Sequence, residues 1–167
     1  MKKVIVLLAV AFAALAFTAQ TTEMLIAGKG IEGYVTVGVS TSNEIKTKFG
    51  SNYTEVKHYS EVNGVKSLFS RERQYPKQGV SFYFPANGDT VFCIKAKLPY
   101  KAKTDKGIAL GTSTMQDVKD AYGAADFYAD DKFMFLEYPG IKFYTASGKT
   151  EADVLKQKVT MISIVQF

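Results

Sequence analysis

The chain of 167 residues has a single cysteine and a single histidine. Because Cys93 is the only cysteine, an internal disulfide is excluded and packing alone must hold the fold. We interpret Cys93 as a small packing or surface thiol. His58 lacks the soft ligands of a metal site and any assignable partner for nucleophilic catalysis, so it is interpreted as an ordinary strand residue. We therefore expect no cofactor, no metal and no enzymatic activity.

A strong charge excess is also missing. The formal net charge is +5, and the basic residues are scattered among acids rather than gathered on one helix or tail. Nucleic-acid-binding proteins concentrate their basic residues, so no nucleic-acid partner is expected. The aspartates near residue 130 do not have the alternating spacing of a calcium loop, and Asp130-Asp131 is predicted to be a hairpin turn.

The long apolar run needed for a membrane span is absent too. Lys2 and Lys3 precede the apolar stretch Val4 to Phe17, and small residues follow it, which is the pattern of a secretory signal over residues 1–20. About fourteen apolar residues are fewer than the roughly twenty that a spanning helix needs. No cysteine near the cleavage region offers a lipid attachment site. We expect a bacterial protein that is periplasmic or secreted, and soluble after removal of the signal.

One pattern occurs twice in the chain. Residues Val37–Gly50 and Leu110–Gly123 share five identical positions, and a Tyr-Pro followed by a glycine-led run ending in Phe-Tyr occurs near residues 75–83 and again near 138–144. Self-similarity of this kind indicates repeated structural units. We predict a first repeat with an N-terminal extension over residues 21–100, a polar linker at 101–106 and a second repeat over 107–167.

Each repeat is predicted to contain a short helix on an antiparallel sheet. Both helices should end at a glycine, Gly50 or Gly123. The predicted capping boxes pair Thr41 with Glu44 and Ser113 with Gln116. Asn63-Gly64 between two extended runs is a strong hairpin signal. The predicted strands are Tyr53–Val62, Val65–Arg73, Gly79–Phe84, Thr90–Leu98, Phe127–Ala129, Lys132–Tyr138, Ile141–Thr145 and Val159–Gln166. The predicted fold class is α+β, with two tandem repeats that each pack a short helix on a roughly four-stranded antiparallel sheet.

Alternation along the strands predicts which side chains face the helices. The inward set is Val80, Phe82, Phe84, Ile94, Ala96, Leu98, Ile141, Phe143, Ile162 and Ile164. The outward set includes Tyr83 and Tyr144 with Cys93, Lys95, Lys97, Met161, Ser163 and Val165. Aromatic and arginine side chains dominate protein-binding surfaces. The candidate binding residues are therefore Tyr83, Tyr144, Phe133, Phe135, Arg71, Arg73 and Met161.

The order of motifs resembles a known family. An apolar-Gly-x-Ser segment, a short helix ending in aromatic-Gly, a tyrosine, Gly-Ile/Val-x-Phe and a final strand occur in both halves. This arrangement resembles the tandem-repeat fold of the beta-lactamase inhibitor protein and of inhibitor-like exported bacterial proteins. The resemblance implies two sheets that form a concave surface gripping a protein. Unlike the inhibitor, whose repeats carry disulfides, this chain has only Cys93.

These observations favour a non-enzymatic exported protein. It would present paired sheets to a macromolecular partner, which we expect to be an envelope or extracellular protein. The alternative is a periplasmic carrier or sensor of a small apolar or saccharide ligand held between the two repeats.

Overall fold

The computed structural model describes residues 23–129, 133–146, 148 and 150–167. The predicted signal at 1–20 and the predicted turn at Asp130-Asp131 lie outside these residues. The helices are α1 (Ser42–Phe49), α2 (Met115–Tyr122) and α3 (Glu151–Leu155). The strands are β1 (Glu23–Ile26), β2 (Gly30–Ile31), β3 (Val35–Thr36), β4 (Thr54–Val62), β5 (Val65–Tyr75), β6 (Val80–Pro85), β7 (Cys93–Lys97), β8 (Ala102–Thr104), β9 (Phe127–Ala129), β10 (Phe133–Tyr138), β11 (Ile141–Ala146) and β12 (Met161–Val165). The fold class is therefore α+β, dominated by strands.

The principal feature is one antiparallel sheet of eight strands, in the order β4-β5-β6-β7-β12-β11-β10-β9. Strands β4 to β7 form one half and β9 to β12 the other. The two halves join where β7 pairs with β12, with Lys95 opposite Ser163. The two groups of strands expected from the sequence therefore share a single continuous sheet. On each side of the β7–β12 junction the strands follow one another outward in decreasing chain order, β7-β6-β5-β4 on one side and β12-β11-β10-β9 on the other.

The hairpin between β4 and β5 has the turn that its sequence predicts. Asn63 and Gly64 both have positive φ, 52° and 78°, and Val62 pairs with Val65 across the turn. Positive φ at both central residues is the requirement of a type I′ turn, which matches the twist of the flanking strands. Strand β6 pairs with β5 only from Ser70 to Tyr75, so the tip of the hairpin extends beyond β6.

The caps of the two longer helices confirm one prediction and correct another. The Thr41 side chain accepts a hydrogen bond from the backbone of Glu44, whose carboxylate accepts from the Thr41 N–H, as predicted. In α2 the prediction was wrong by one residue, because Thr114 and Asp117 form the box. The Ser113 hydroxyl instead accepts from the backbone N–H of Ala109.

Helices α1 and α2 pack on the same face of the sheet, and α3 contacts α2 through the ion pair between Glu151 and Lys119. Ile45 of α1 and Val118 of α2 are fully buried, and both belong to one continuous core cluster. The ring of Phe49 lies 4.8 Å from that of Phe82, and the ring of Tyr122 lies 4.9 Å from that of Phe143. Glycines 50 and 123 end the helices, as predicted, and both have positive φ with an extended ψ. The helix α3 lies within residues 146–158, the stretch before the last strand.

A second, smaller sheet lies on this same side. Its order is β3-β2-β1-β8, and β1 runs parallel to β8. Strand β8 lies within residues 101–106, the predicted linker. Leu25, Ile31 and Val35 of the small sheet join the core cluster beside the large sheet. One face of the large sheet is thus covered by the helices and the small sheet together.

The side chains predicted to face inward are buried with one exception, but burial does not alternate along the strands, because the outward residues Cys93, Tyr144 and Ser163 are buried as well. The predicted inward residues of β6, β7, β11 and β12 are buried. Leu98 was predicted to face inward, but it is 57% exposed. The reason is that β7 ends at Lys97, so the alternation no longer applies one residue later. Among the described residues, no helix is long and apolar enough to cross a membrane.

Candidate functional site

The candidate site is the face of the large sheet opposite the helices, which we call the open face. In the described part of the chain, helices α1 and α2 and the small sheet pack on the other side. Cross-strand pairing defines the residues of the open face. From β4 to β9 they include His58, Glu72, Ser81, Tyr83, Cys93, Lys95, Met161, Ser163, Lys142, Tyr144, Phe135 and Tyr128.

A buried carboxylate organises one end of the open face. Glu72 is only 5% exposed, and its Oε2 lies 2.9 Å from His58 Nε2. Burial opposes ionisation of Glu72, but hydrogen bonds with His58, Ser81, Tyr83 and Gln74 outweigh it and hold its pKa below the ordinary value. Glu72 is therefore an anionic acceptor that fixes the side chains around it.

Tyr83 is one of the groups fixed by Glu72. Its ring stacks on that of His58 with centroids 5.7 Å apart, and Lys95 Nζ lies 4.9 Å from the ring centroid. Burial raises the pKa of Tyr83 strongly, and the nearby charge of Glu72 and its hydrogen bond with Glu72 raise it further. Tyr83 is thus a neutral phenol, held in place from both sides.

Cys93 lies at the centre of the open face but has little contact with solvent. It is 6% exposed, and its Sγ lies 3.3 Å from Ser163 Oγ. Burial raises the pKa of the Cys93 thiol. A thiol that is not ionised is a poor nucleophile. The His58 ring is hydrogen-bonded to Glu72, and the Cys93 thiol lies against Ser163. His58 and Cys93 therefore do not form a pair in which the imidazole activates the thiol.

This environment predicts slow alkylation of Cys93. In the folded protein at pH 8, iodoacetamide should modify Cys93 at least about a hundredfold more slowly than in the urea-unfolded chain, because reaction requires local opening of the sheet. The rate is measured by mass spectrometry of timed samples. Equal rates in the two states would contradict the buried, protonated thiol.

The other end of the open face carries a group of aromatic rings, which we call the aromatic ladder: Tyr128, Phe135, Tyr144 and Phe133. The rings of Tyr128 and Phe135 stack with centroids 5.6 Å apart. Phe135 lies 5.2 Å from Tyr144, and Phe133 lies 6.2 Å from it. Tyr128 is 52% exposed, whereas Tyr144 is buried among its neighbours. The ladder therefore presents ring surface on β9 and β10 and is anchored on β11.

Cationic side chains lie beside the rings. Lys142 Nζ is 5.4 Å from the ring centroid of Phe135 and 2.9 Å from Glu137 Oε1. Met161, a predicted binding residue, is half-buried between Tyr144 and Lys97 in the cross-strand register. The open face thus joins aromatic, thioether and ammonium groups across the β7–β12 junction.

Two predicted binding residues lie elsewhere. Arg71 and Arg73 were expected beside the open-face aromatics, but they lie on the helix side of β5, opposite Phe84 and Phe82. Arg71 donates to the Gly88 carbonyl at 2.6 Å, and Arg73 donates to the Ser42 carbonyl at 2.7 Å. Their guanidinium groups therefore tie loops to the sheet and are not anchors on the open face.

The structure thus brings Tyr144, Phe133, Phe135 and Met161 together, places Tyr83 on the same face near the junction, and separates both arginines from them. His58 and Glu72 were not predicted as site residues. Among the described residues, no group of three or more His, Cys, Asp or Glu side chains is arranged to hold a metal ion.

The fold and this face define an α+β protein with an eight-stranded antiparallel sheet that is covered on one side in its described part. No family model matches the chain, and a search of curated proteins found no match. Among solved structures, the chain is similar to the uncharacterized protein yfeY from Escherichia coli, with a TM-score of 0.55 and 18% sequence identity. The match covers 86% of this chain and 99% of that one. At this identity the likeness concerns the fold alone.

Proposed function

We propose that this chain is an exported, non-enzymatic protein that binds a macromolecular partner, an envelope protein, on its open face. The observation that carries the proposal is the aromatic ladder, which places exposed ring surface on a sheet face that no described element covers. Aromatic side chains give large contact areas at little conformational cost and are enriched in protein interfaces. The signal-like residues 1–20 support export.

We further infer that the chain consists of two tandem repeats, with the organisation of the beta-lactamase inhibitor family. Three observations support this inference. The sheet order is the same on both sides of the β7–β12 junction, α1 and α2 have matching caps at Thr41 and Thr114, and Tyr83 and Tyr144 lie on the same face. Under this proposal, Glu72 and Phe135 occupy equivalent positions in the two repeats. Their different side chains give the open face one polar end and one aromatic end.

The chemistry of the open face indicates the kind of partner surface that fits. Lys95, Lys97 and Lys142 lie near the junction, while Glu72 is buried and bonded within the chain. A partner that combines apolar side chains with acidic ones would match this face. Salt should then slow association more than it weakens the apolar contacts, because screening acts mainly on the exposed charges.

One observation favours the alternative, a carrier or sensor of a small apolar or saccharide ligand. The stacked rings of Tyr128 and Phe135 offer a flat apolar surface on which such a ligand could lie. The two functions differ in the size of what binds, which an experiment can separate.

The chain contains no tryptophan, so a Tyr128→Trp variant carries a single fluorescent reporter on the ladder. The matched control is Tyr34→Trp, because Tyr34 is 42% exposed and lies in the turn between β2 and β3 of the small sheet, on the other side. Bacterial envelope extract is divided by ultrafiltration into macromolecules and small molecules, and each fraction is titrated into both variants.

We expect the macromolecular fraction to shift the emission of Tyr128→Trp in a saturable manner and to leave the control unchanged. A response to the small-molecule fraction alone would support the carrier instead. Equal responses of both variants, or no response of Tyr128→Trp to either fraction, would contradict binding on the ladder.

A further inference from the structure

Strand β4 forms an edge of the large sheet. It pairs with β5 on one side, and no strand of the described chain pairs with its other side. Tyr59 is 51% exposed and Val62 is 64% exposed on this strand. A strand edge presents backbone N–H and C=O groups that can pair with another strand. The edge is long enough to accept one, since β4 spans Thr54–Val62.

The order of charges along β4 determines how it could pair with itself. In an antiparallel pairing with Tyr59 opposite Tyr59, Lys57 lies opposite Glu61 in both directions, and Val56 lies opposite Val62. Opposite charges across strands stabilise a pair, whereas like charges destabilise it. Lys57 and Glu61 are therefore self-complementary in this register.

Neighbouring registers lack this match. With His58 opposite His58, Glu55 meets Glu61 twice, and with Lys57 opposite Lys57 the two ammonium groups meet. Glu55 is also engaged within the chain, since its Oε2 lies 3.7 Å from Arg73 Nε. Repulsion thus disfavours both of these registers.

The surroundings of Lys57 add a second reason. Within the chain, Lys57 lies directly opposite Arg71 on β5, so two basic residues are cross-strand neighbours. A Glu61 side chain on the other side of Lys57 would offset this repulsion. Within its own hairpin, Glu61 lies opposite Lys66, whose Nζ lies 4.8 Å from the ring centroid of Tyr59.

We propose that β4 pairs antiparallel with β4 of a second copy of this chain, with Tyr59 on the two-fold axis. The two large sheets then become one continuous sheet. His58 lies on the open face through its bond to Glu72, so the open faces of both copies lie on the same side. The interface is isologous, as expected of a symmetric dimer. This proposal is independent of the function proposed above.

A charge-swap experiment tests the register. Sedimentation equilibrium over a range of protein concentrations measures the dimer Kd of the purified protein, of Lys57→Glu, of Glu61→Lys and of the double variant. Each single variant should raise the Kd about tenfold or more, because it turns both ion pairs into repulsive ones. The double variant should return to within about threefold of the unchanged protein. Glu32→Lys, an exposed charge reversal in the turn between β2 and β3, serves as the matched control and should change nothing.

Mixing the two single variants provides the decisive arm. In the mixture, glutamates at 57 and 61 of one chain face lysines at 61 and 57 of the other, so a heterodimer should form although neither variant dimerises well alone. A variant that had merely misfolded would not be rescued by mixing. A protein that remains monomeric up to millimolar concentration, or that dimerises equally well in every variant, would overturn the proposal. Loss of dimer in the single variants without rescue by mixing or by the double swap would overturn the register.

Discussion

Replacing Phe82 by alanine is expected to lower the free energy of unfolding of the whole chain by about 3–5 kcal/mol. Phe82 is fully buried, and its ring packs against those of Phe49 at 4.8 Å and Tyr75 at 5.8 Å. Alanine would leave a cavity between α1 and the sheet that neighbouring rings fill only in part. The loss is large because the transfer of the ring and the residual cavity both contribute.

The loss should be shared by both halves of the sheet. Strands β7 and β12 pair along Cys93–Lys97, and Ile94 and Ile164 lie in one core cluster that spans both halves. We therefore expect a single cooperative urea transition, followed by far-UV circular dichroism. Amide hydrogen exchange in β10 and β11 should accelerate in Phe82→Ala although these strands lie in the other half.

The matched variant is Phe143→Ala. Phe143 is also fully buried, and it packs on Tyr122 of α2 at 4.9 Å. Its cost should fall in the same range, and it should accelerate exchange in β5 and β6 in turn. Protection that falls only in the half carrying the substitution would contradict a single cooperative sheet.

Local signals in the sequence specify most of the large sheet. The Asn63-Gly64 turn, the alternation of Val80, Phe82 and Phe84, and the helix-ending glycines each act within a few residues, so their consequences can be predicted from the sequence. The pairing of β7 with β12 joins residues about 70 positions apart, such as Lys95 and Ser163. It depends on the packing of the whole chain and has no local signature.

The misplaced arginines show where alternation fails. Residues 70–74 are all polar, so the segment offers no apolar period to distinguish its two faces. Tyr75 provided the available signal, because it is fully buried on the helix side. Arg73 and Arg71 lie two and four residues before it on the same strand, and therefore on the same face. Glu72 lies three residues before Tyr75, so the same alternation assigns it to the open face. A charged side chain is not expected to be buried, which is why its role was missed.

The capping error has a similar cause. Ser113 and Thr114 are adjacent, and each is followed three residues later by a side chain that can complete a box. The alignment of the two similar segments places Thr114 at the position of Thr41, which favours the pair that the structure contains. A comparison between the segments was therefore more informative than the local motif.

Replacing Glu72 by glutamine is expected to lower the free energy of unfolding by about 2–3 kcal/mol at pH 7, because hydrogen bonds to a charged acceptor become bonds to a neutral amide. The amide also has a donor group that must find a partner in a site that is 5% exposed. The matched control is Glu137→Gln, which removes an exposed carboxylate paired with Lys142 and should cost less than about 1 kcal/mol.

The same carboxylate should make the open face sensitive to acid. The pKa of Glu72 is lowered in the folded state from its ordinary value of 4.5, so the unfolded chain takes up this proton first as the pH falls. The stability contributed by Glu72 is therefore fully present above about pH 5 and is lost as the pH falls through the folded-state pKa. Urea midpoints measured from pH 7 to pH 3 should decline more steeply for the unchanged protein than for Glu72→Gln, so that the two curves converge in acid. Parallel curves would mean that Glu72 has the same pKa in both states, and that its contacts with His58 and Tyr83 do not favour the carboxylate.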